Sequence, residues 1–290
     1  MSLFPEFVFQ KQGKSAIWAD PKVLTVIGPD LLANPDRLFA RADCKIIKDQ
    51  LKIKVGHINL KIDGIVTGIY IKRYNTFSIR YRIASLVLRS GAVKSLRGAR
   101  ILSQAGIATS KPLAVIEVRS RGMLDSSFFL SEEIVLGKTA DSYWRETLVP
   151  MRGIEGFRCR RNFLKNLAKL FRQLHQRRIY HNDLKDANIF VAARVAGEER
   201  FFLLDLEGVR SCWYIPKRRC IKNLVQLNRT LGKFVTRSGK LSLLKTYLGR
   251  DFCDRNKSRR WALDIFRESH RMNRRSLRKA ATVLIQVAIL

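Results

Sequence analysis

The sequence predicts an α+β fold in two lobes. Strand-like runs concentrate in the first half and helical stripes in the second. The length of 290 residues corresponds to about two domains, taking roughly 150 residues for each. The expected boundary falls near Gly137 to Tyr143. It separates a strand-rich lobe over 1–137 from a helical lobe over 138–290 that carries a basic tail.

In chain order, Ile65 to Lys72 is β-branched and aromatic and reads as a strand that Lys72 ends. Ala92 to Ala105 has helical character and stops at Gly106, a residue suited to a helix C-terminus. Leu113 to Val118 and Phe128 to Ile134 read as further strands. Phe163, Leu164, Leu167, Leu170, Phe171 and Leu174 then fall on one stripe at helical spacing, while Lys165, Lys169, Arg172 and Gln173 take the other faces. Ile189 to Ala192 and Phe201 to Leu206, separated by Gly197-Glu198-Glu199-Arg200, predict a hairpin. Cys220 to Phe234, Leu241 to Leu248, Trp261 to Met272 and Leu277 to Ile289 read as four helices.

Charge narrows the function classes. There are 56 Lys and Arg against 24 Asp and Glu, a formal net charge of +32. An acidic enzyme or an acidic disordered region is excluded. The excess is uneven, because 211–250 holds ten basic residues and no acidic one. Such a field favours nucleic acid, an anionic membrane or a phosphorylated substrate. No RNA-binding aromatic platform is visible, since Trp213, Tyr214 and Trp261 stand apart, so no specific nucleic-acid partner is expected. The five Cys are scattered without a CxxC pair, which fits reduced thiols and no zinc framework. The start has no secretion-signal pattern. The apolar run Ala280 to Leu290 has eleven residues, short of the roughly 20 a spanning helix needs. Two readings of it stay open, packing on the helical lobe or lying in a membrane interface beside Arg274-Arg275 and Arg278-Lys279. Lys217-Arg218-Arg219 is a candidate contact for phosphorylated sugar or anionic lipid.

The chemistry-bearing stretch is His181-Asn182-Asp183-Leu184-Lys185-Asp186-Ala187-Asn188. Seventeen residues after Asn188, at the end of an apolar strand, stands Asp205. This set suits phosphoryl transfer, which needs an acceptor hydroxyl held in line, metal ions on the phosphates and a fixed cation on the nucleotide. Asp183 can accept the hydroxyl proton. Asn188 and Asp205 offer the oxygen ligands that Mg²⁺ prefers. Lys72 can hold nucleotide phosphates as a point charge. Lys185 either meets the transferring phosphate or faces solvent. His181 reads as a packing residue of the loop and Asp186 as a loop residue.

The pattern HxDLxxxN, a hairpin and then an Asp at a strand end resembles the catalytic core of the protein kinase-like superfamily. That resemblance implies a protein kinase-like two-lobe fold, Asp183 as base, Lys72 on the nucleotide, and Asn188 with Asp205 on Mg²⁺. It also implies an ATP hinge whose backbone at Glu132, Glu133 and Ile134 meets adenine. A narrower likeness rests on Tyr70-Ile71-Lys72-Arg73-Tyr74, Ala105 to Thr109 leading to Pro112-Leu113-Ala114, His181 to Val191, and Leu204 to Val209. Together these resemble the lipopolysaccharide kinase family of core heptose kinases and Kdo kinases, over roughly residues 44 to 250. The family implies ATP and Mg²⁺ as cofactors. It implies a sugar hydroxyl of the lipopolysaccharide inner core, or another anionic glycolipid, as acceptor. It places the work at the cytosolic face of the inner membrane.

The sequence departs from the superfamily pattern. No GxGxxG is present, and only Gly56 lies between Ile47 and Ile58. Ser95 stands where related sequences often carry the acidic partner of the strand lysine, leaving Glu132, Glu133 and Glu207 as substitutes. Asn182 replaces the Arg that docks a phosphorylated activation loop, which argues against a phosphorylation switch. Two further readings stay open, an atypical protein kinase or ATPase on a ribonucleoprotein, and a weakly active nucleotide-binding interaction protein.

Overall fold

A computed structural model of the chain describes residues 6–193 and 198–288, with side chains described only up to 274. The chain divides into two compact units. One comprises Met1–Gln104, Thr109–Val135 and Asp205–Val209, and the other Ala105–Ala108, Leu136–Leu204 and Arg210–Leu290.

The first unit is built on seven strands, β1 (Val8–Gln12), β2 (Ser15–Ala19), β3 (Lys45–Gln50), β4 (Ile53–Ile62), β5 (Ile65–Asn75), β6 (Pro112–Ser120) and β7 (Met123–Glu132). Their order is β1-β2-β6-β7-β5-β4-β3, with every neighbouring pair antiparallel. The β4–β5 turn uses Asp63 and Gly64, both at positive φ, as a tight two-residue hairpin requires. Helices α1 (Pro21–Ile27) and α2 (Pro29–Ala33) supply Val23, Ile27 and Leu32 to a core with Ile58, Leu60, Ile69, Ile71 and Phe128. Side chains alternate along β5, so burying Ile69 and Ile71 puts Tyr70, Lys72 and Tyr74 on the opposite face. That face receives α4 (Gly91–Gln104), and α3 (Ile79–Ala84) precedes it, its first turn capped by the Ser78 side chain.

Two expectations are corrected here. β5 runs past Lys72 to Asn75, because Arg73, Tyr74 and Asn75 pair with Phe128, Ser127 and Ser126. Lys72 is therefore mid-strand in a central position. The region searched for a glycine loop is the β3–β4 hairpin, which turns at Leu51-Lys52 without glycine. Gly56 lies within β4, where an added Cβ would stand 3.0 Å from Cys44 Sγ and the Phe39 ring. It is a packing glycine.

The second unit begins with β8 (Gly137–Thr139) and α5 (Ala140–Tyr143), followed by α6 (Gly153–Gln176). The expected apolar stripe of α6 is its buried face, and Phe163 packs its ring 5.4–5.7 Å from those of Tyr143, Trp144 and Phe201. Strand β9 (Ile179–His181) leads into the loop of interest, and β10 (Ile189–Ala192) with β11 (Arg200–Leu203) forms the expected hairpin, joined on its other side by β8. Gly197, expected between the two strands, lies outside the described residues. Helices α7 (Lys217–Arg229), α8 (Arg237–Leu248) and α9 (Arg255–Ala288) follow. The two helices expected after Trp261 are one. Nothing between Met272 and Leu277 stops a helix, since the intervening residues include neither Pro nor Gly. The side chains of 280–290, and with them the choice between packing and interfacial readings, lie outside the described residues. Among the described residues no helix is long and apolar enough to cross a membrane.

Candidate active site

In the first unit, the Lys72 ammonium lies 2.7 Å from Asp205 Oδ1 and 5.0 Å from the centroid of the Tyr74 ring. Burial pulls its pKa down, but the Tyr74 side chain and the Asp205 carboxylate outweigh that, so Lys72 stands above an ordinary lysine and is charged. Burial also raises the Tyr74 phenol, which stays neutral. Lys72 therefore meets the electron-rich face of a ring rather than a phenolate. The phenol oxygen lies 2.7 Å from Ser95 Oγ, both side chains being buried. Gly91 makes this approach possible, because a Cβ there would come within 2.5 Å of the Tyr74 ring.

Asp205 reaches Lys72 from a residue at φ 55°, ψ 54°, a left-handed conformation that Asp tolerates better than most residues. The segment that follows it lies against α4 at Gly98, where a Cβ would stand 2.2 Å from the Leu206 carbonyl oxygen. None of the three substitutes considered from sequence is the partner of Lys72. Glu133 bonds His57 instead, Nε2 to Oε2 at 3.0 Å. Of the expected adenine-facing backbone, the Glu132 N–H donates to the Lys111 carbonyl and the Glu133 N–H to the Gly68 carbonyl. Ile134 makes neither of these bonds.

In the second unit, the loop after β9 is fixed from below. His181 is 1% exposed. Its Nε2 lies 2.9 Å from the Leu204 carbonyl oxygen, and its Nδ1 accepts the Asp183 N–H at 3.2 Å. That pairing makes His181 a neutral structural residue, with the proton on Nε2. The Asp183 carboxylate has three side-chain partners. Gln226 Nε2 donates to Oδ1 at 3.2 Å, Asn188 Nδ2 to Oδ2 at 3.2 Å, and Lys185 Nζ to Oδ2 at 2.8 Å. Asn188 Nδ2 also donates to the Asp183 carbonyl at 2.7 Å. Asp186 is buried and closes its own turn by accepting the Ala187 N–H, with burial raising its carboxyl.

Behind the loop runs a chain of neutral hydrogen bonds that sequence reasoning missed. The Tyr247 hydroxyl donates to His175 Nδ1 at 2.8 Å, and His175 Nε2 donates to Asn223 Oδ1 at 3.1 Å. Asn223 Nδ2 donates to the His181 carbonyl and to Gln226 Oε1. Gln226 Oε1 also accepts the Leu184 N–H, and its Nε2 holds the Asn182 carbonyl as well as Asp183. Burial lowers the His175 pKa and keeps it neutral. The available signal was Asn223 and Gln226, polar at i, i+3 among the apolar residues of α7.

The sequence profile of the lipopolysaccharide kinase (Kdo/WaaP) family matches residues 69–247. The chain belongs to this family. The kinase thus uses ATP and is a transferase of lipopolysaccharide biosynthesis. A solved structure described as WaaP in complex with acyl carrier protein is similar to it, with a TM-score of 0.61 and 21% identity over 87% of this chain and 97% of that one. That likeness supports the kinase-like two-lobe fold. None of the curated proteins matches the kinase.

The structure thus joins Asp183, Lys185 and Asn188 in one constellation and Lys72 and Asp205 in another. In Lys217-Arg218-Arg219, two of the three cations are already engaged. Lys217 pairs with Asp264 at 2.8 Å, and Arg219 lies over the Tyr180 ring at 5.1 Å. Arg218 is exposed.

Proposed function

We propose that the kinase transfers the γ-phosphate of ATP to a heptose or Kdo hydroxyl of the lipopolysaccharide inner core, with Asp183 as the base. The observation that carries this reading is the Asp183 carboxylate, clamped by Gln226, Asn188 and Lys185 in a loop whose backbone is held at both ends. Such clamping fixes a base against an incoming hydroxyl and costs little reorganisation when the proton moves. The acceptor O–H proton goes to Asp183. The acceptor oxygen bonds to the γ-phosphorus as the bond to the β–γ bridging oxygen breaks, and ADP leaves. Lys185, paired with Asp183 in the absence of substrate, turns to the transferring phosphoryl group. Lys72 holds the nucleotide phosphates, and the Ile134 amide is the hinge donor for adenine.

Asn188 and Asp205 are the residues that would hold Mg²⁺. The donor chemistry fits. Asn188 donates through Nδ2 to both the Asp183 carbonyl and its carboxylate, which leaves the amide oxygen as the ligand atom, and Asp205 adds a carboxylate. Among the described residues no three His, Cys, Asp or Glu cluster as a metal cage, which suits an ion completed by phosphate and water. When bound, the ion neutralises phosphate charge.

The deciding experiment is transfer of labelled γ-phosphate to dephosphorylated inner-core oligosaccharides bearing heptose or Kdo, with a generic protein present as competitor. Label in sugar, absent with Asp183→Asn, supports the reading, and the acceptor that takes it separates heptose from Kdo. Label in protein alone moves the assignment to a protein kinase.

A specific observation favours a second ligand. In the second unit, Leu224, Leu227, Leu241, Leu244, Ile265 and Phe266 line an apolar cavity of about 400 Å³, with Arg237 and Lys240 on its lining. We read it as a place for an acyl chain presented by an anionic carrier, in line with the acyl carrier protein of the solved relative. Purification with and without added acyl carrier protein, read by mass spectrometry, tests it. Absence of any complex with Leu241 and Leu244 intact rejects it.

A further inference from the structure

The segment Phe77–Leu88 presents six large apolar side chains to solvent. Phe77, Ile79, Ile83, Leu86, Val87 and Leu88 are all exposed, Val87 at 90% and Ile79 at 76%. An apolar cluster of this kind on a soluble surface marks an interaction site. The segment is not loose chain. The Arg82 guanidinium bonds Asp125 at 2.6 Å, and Ser85 Oγ accepts the Leu124 N–H at 2.9 Å. Arg119 Nη1 donates to the Ser85 carbonyl at 3.2 Å. The polar side of the segment is thus pinned to β6 and β7, and its aliphatic side is held outward. Ring stacking of Phe77 on Tyr81 at 5.9 Å, with Lys52 Nζ 4.5 Å above the Phe77 ring, stiffens the near end.

The charge around the patch points to its occupant. Arg80 and Arg89 are exposed beside it. Between Asp63 and Glu117 the chain carries nine basic residues and no acidic one. Apolar side chains flanked by the exposed Arg80 and Arg89, with Arg82 already paired to Asp125, match the boundary between acyl chains and anionic headgroups. A second copy of this chain would leave those arginines facing one another, whereas an anionic lipid surface neutralises them and takes up the apolar side chains between them. We propose that Phe77–Leu88 is a membrane-docking element that seats the first unit on an anionic phospholipid surface. Its purpose rests on the lipid-borne acceptor of the proposed function, but its test does not.

The test is flotation of the full chain with vesicles of phosphatidylglycerol and phosphatidylethanolamine, compared with phosphatidylcholine alone. The wild type is expected to float with the anionic vesicles and to bind the neutral ones far less. The triple variant Ile79→Ser, Ile83→Ser, Val87→Ser is expected to lose at least about tenfold in vesicle affinity, since it withdraws three apolar side chains from the bilayer. Its circular dichroism and melting temperature should be retained, because all three side chains are exposed. Amide exchange in 77–89 should slow when anionic vesicles are added to the wild type. A control pair, Leu284→Ser with Ile285→Ser, should float like the wild type. The proposal is overturned if the wild type does not float, if the triple variant floats equally well, or if the control pair is the one that loses binding. It is also overturned if the triple substitution turns a dimer into a monomer, which would make the patch a self-association surface. Phosphate transfer to delipidated core sugar, run on the same samples, reports separately on the proposed function and should not change in the triple variant.

Discussion

Lys72 and Asp183 are both charged groups that must be aimed, and the chain aims them by different means. Around Asp183 the aiming groups other than Lys185 are neutral: three amides, two imidazoles and a phenol, each donor matched to an acceptor. Such a network does not depend on any group that substrate binding must recruit. Around Lys72 the arrangement is a carboxylate with a proposed second role, Asp205, and a ring with none, Tyr74. Asp183, the proposed base, is held by a frame made largely of neutral groups. Lys72, the proposed nucleotide lysine, is held by a counter-ion and by an aromatic face, and only the counter-ion is proposed to give way to phosphate. This also explains how the kinase tolerates Ser95 in α4. Ser95 Oγ holds the Tyr74 hydroxyl, so this α4 position supports the ring that faces Lys72.

The largest effect should come from the base itself. Asp183→Asn is expected to lower the transfer rate by about 10²–10⁴-fold while leaving ATP affinity unchanged, read by single-turnover kinetics alongside nucleotide binding. Retained turnover would break the comparison, because Asp183 would then not be the group the network serves.

Next comes the aromatic support of Lys72. Tyr74→Leu removes the ring and is expected to lower kcat/KM for ATP by about tenfold, the scale of a desolvated cation–π contact. Tyr74→Phe keeps the ring and should stay within a few-fold. Combining Tyr74→Leu with Ser95→Glu exchanges the ring for a carboxylate and should recover part of the loss. Equal damage from Leu and Phe would shift the credit from the ring face to the hydroxyl.

A smaller effect is expected from the frame behind the base. Gln226→Ala leaves Asp183 Oδ1 and the Asn182 carbonyl without their shared donor. It should cost about 1–3 kcal/mol of stability and lower kcat without raising KM for ATP, measured by denaturant unfolding and steady-state kinetics. A rise in KM for ATP alone would contradict a role confined to the base.

The smallest effect is a pH dependence of stability. Burial holds His175 below its ordinary pKa, so in mildly acid solution the unfolded chain takes up a proton that the folded one refuses. The stability from neutral His175 is complete above pH about 6.5 and declines as pH falls through that value toward the depressed one. The melting temperature should therefore fall between pH 7.5 and 5.5, as read by thermal unfolding at the two pH values. His175→Gln should show a shallower decline. An equal decline would place the acid sensitivity elsewhere.

Legibility followed the range of the interactions. Strand β5 and the stripe of α6 were readable because burial of one face imposes a period on the sequence itself. The loop from His181 to Asn188 was readable because its chemistry needs fixed residue types at fixed short spacing. The extension of β5 to Asn75 was not, since it depends on partners in β7 that lie more than fifty residues away. The glycine sought for a phosphate-covering loop was misplaced for a related reason. Gly56 is small because Phe39 and Cys44 press on it, and no local pattern distinguishes that from a turn.

By itself the sequence determined the α+β class and the family likeness, and it supplied the candidate residues for phosphoryl transfer. These follow from local periodicity and from motifs whose members lie close in the chain. Tertiary structure alone decided what holds Lys72, which oxygen of Asp183 meets which donor, and that His175, Asn223 and Gln226 form one line of hydrogen bonds. Each of those depends on side chains brought together from distant segments, and a buried polar group chooses its partner by geometry that residue order does not carry.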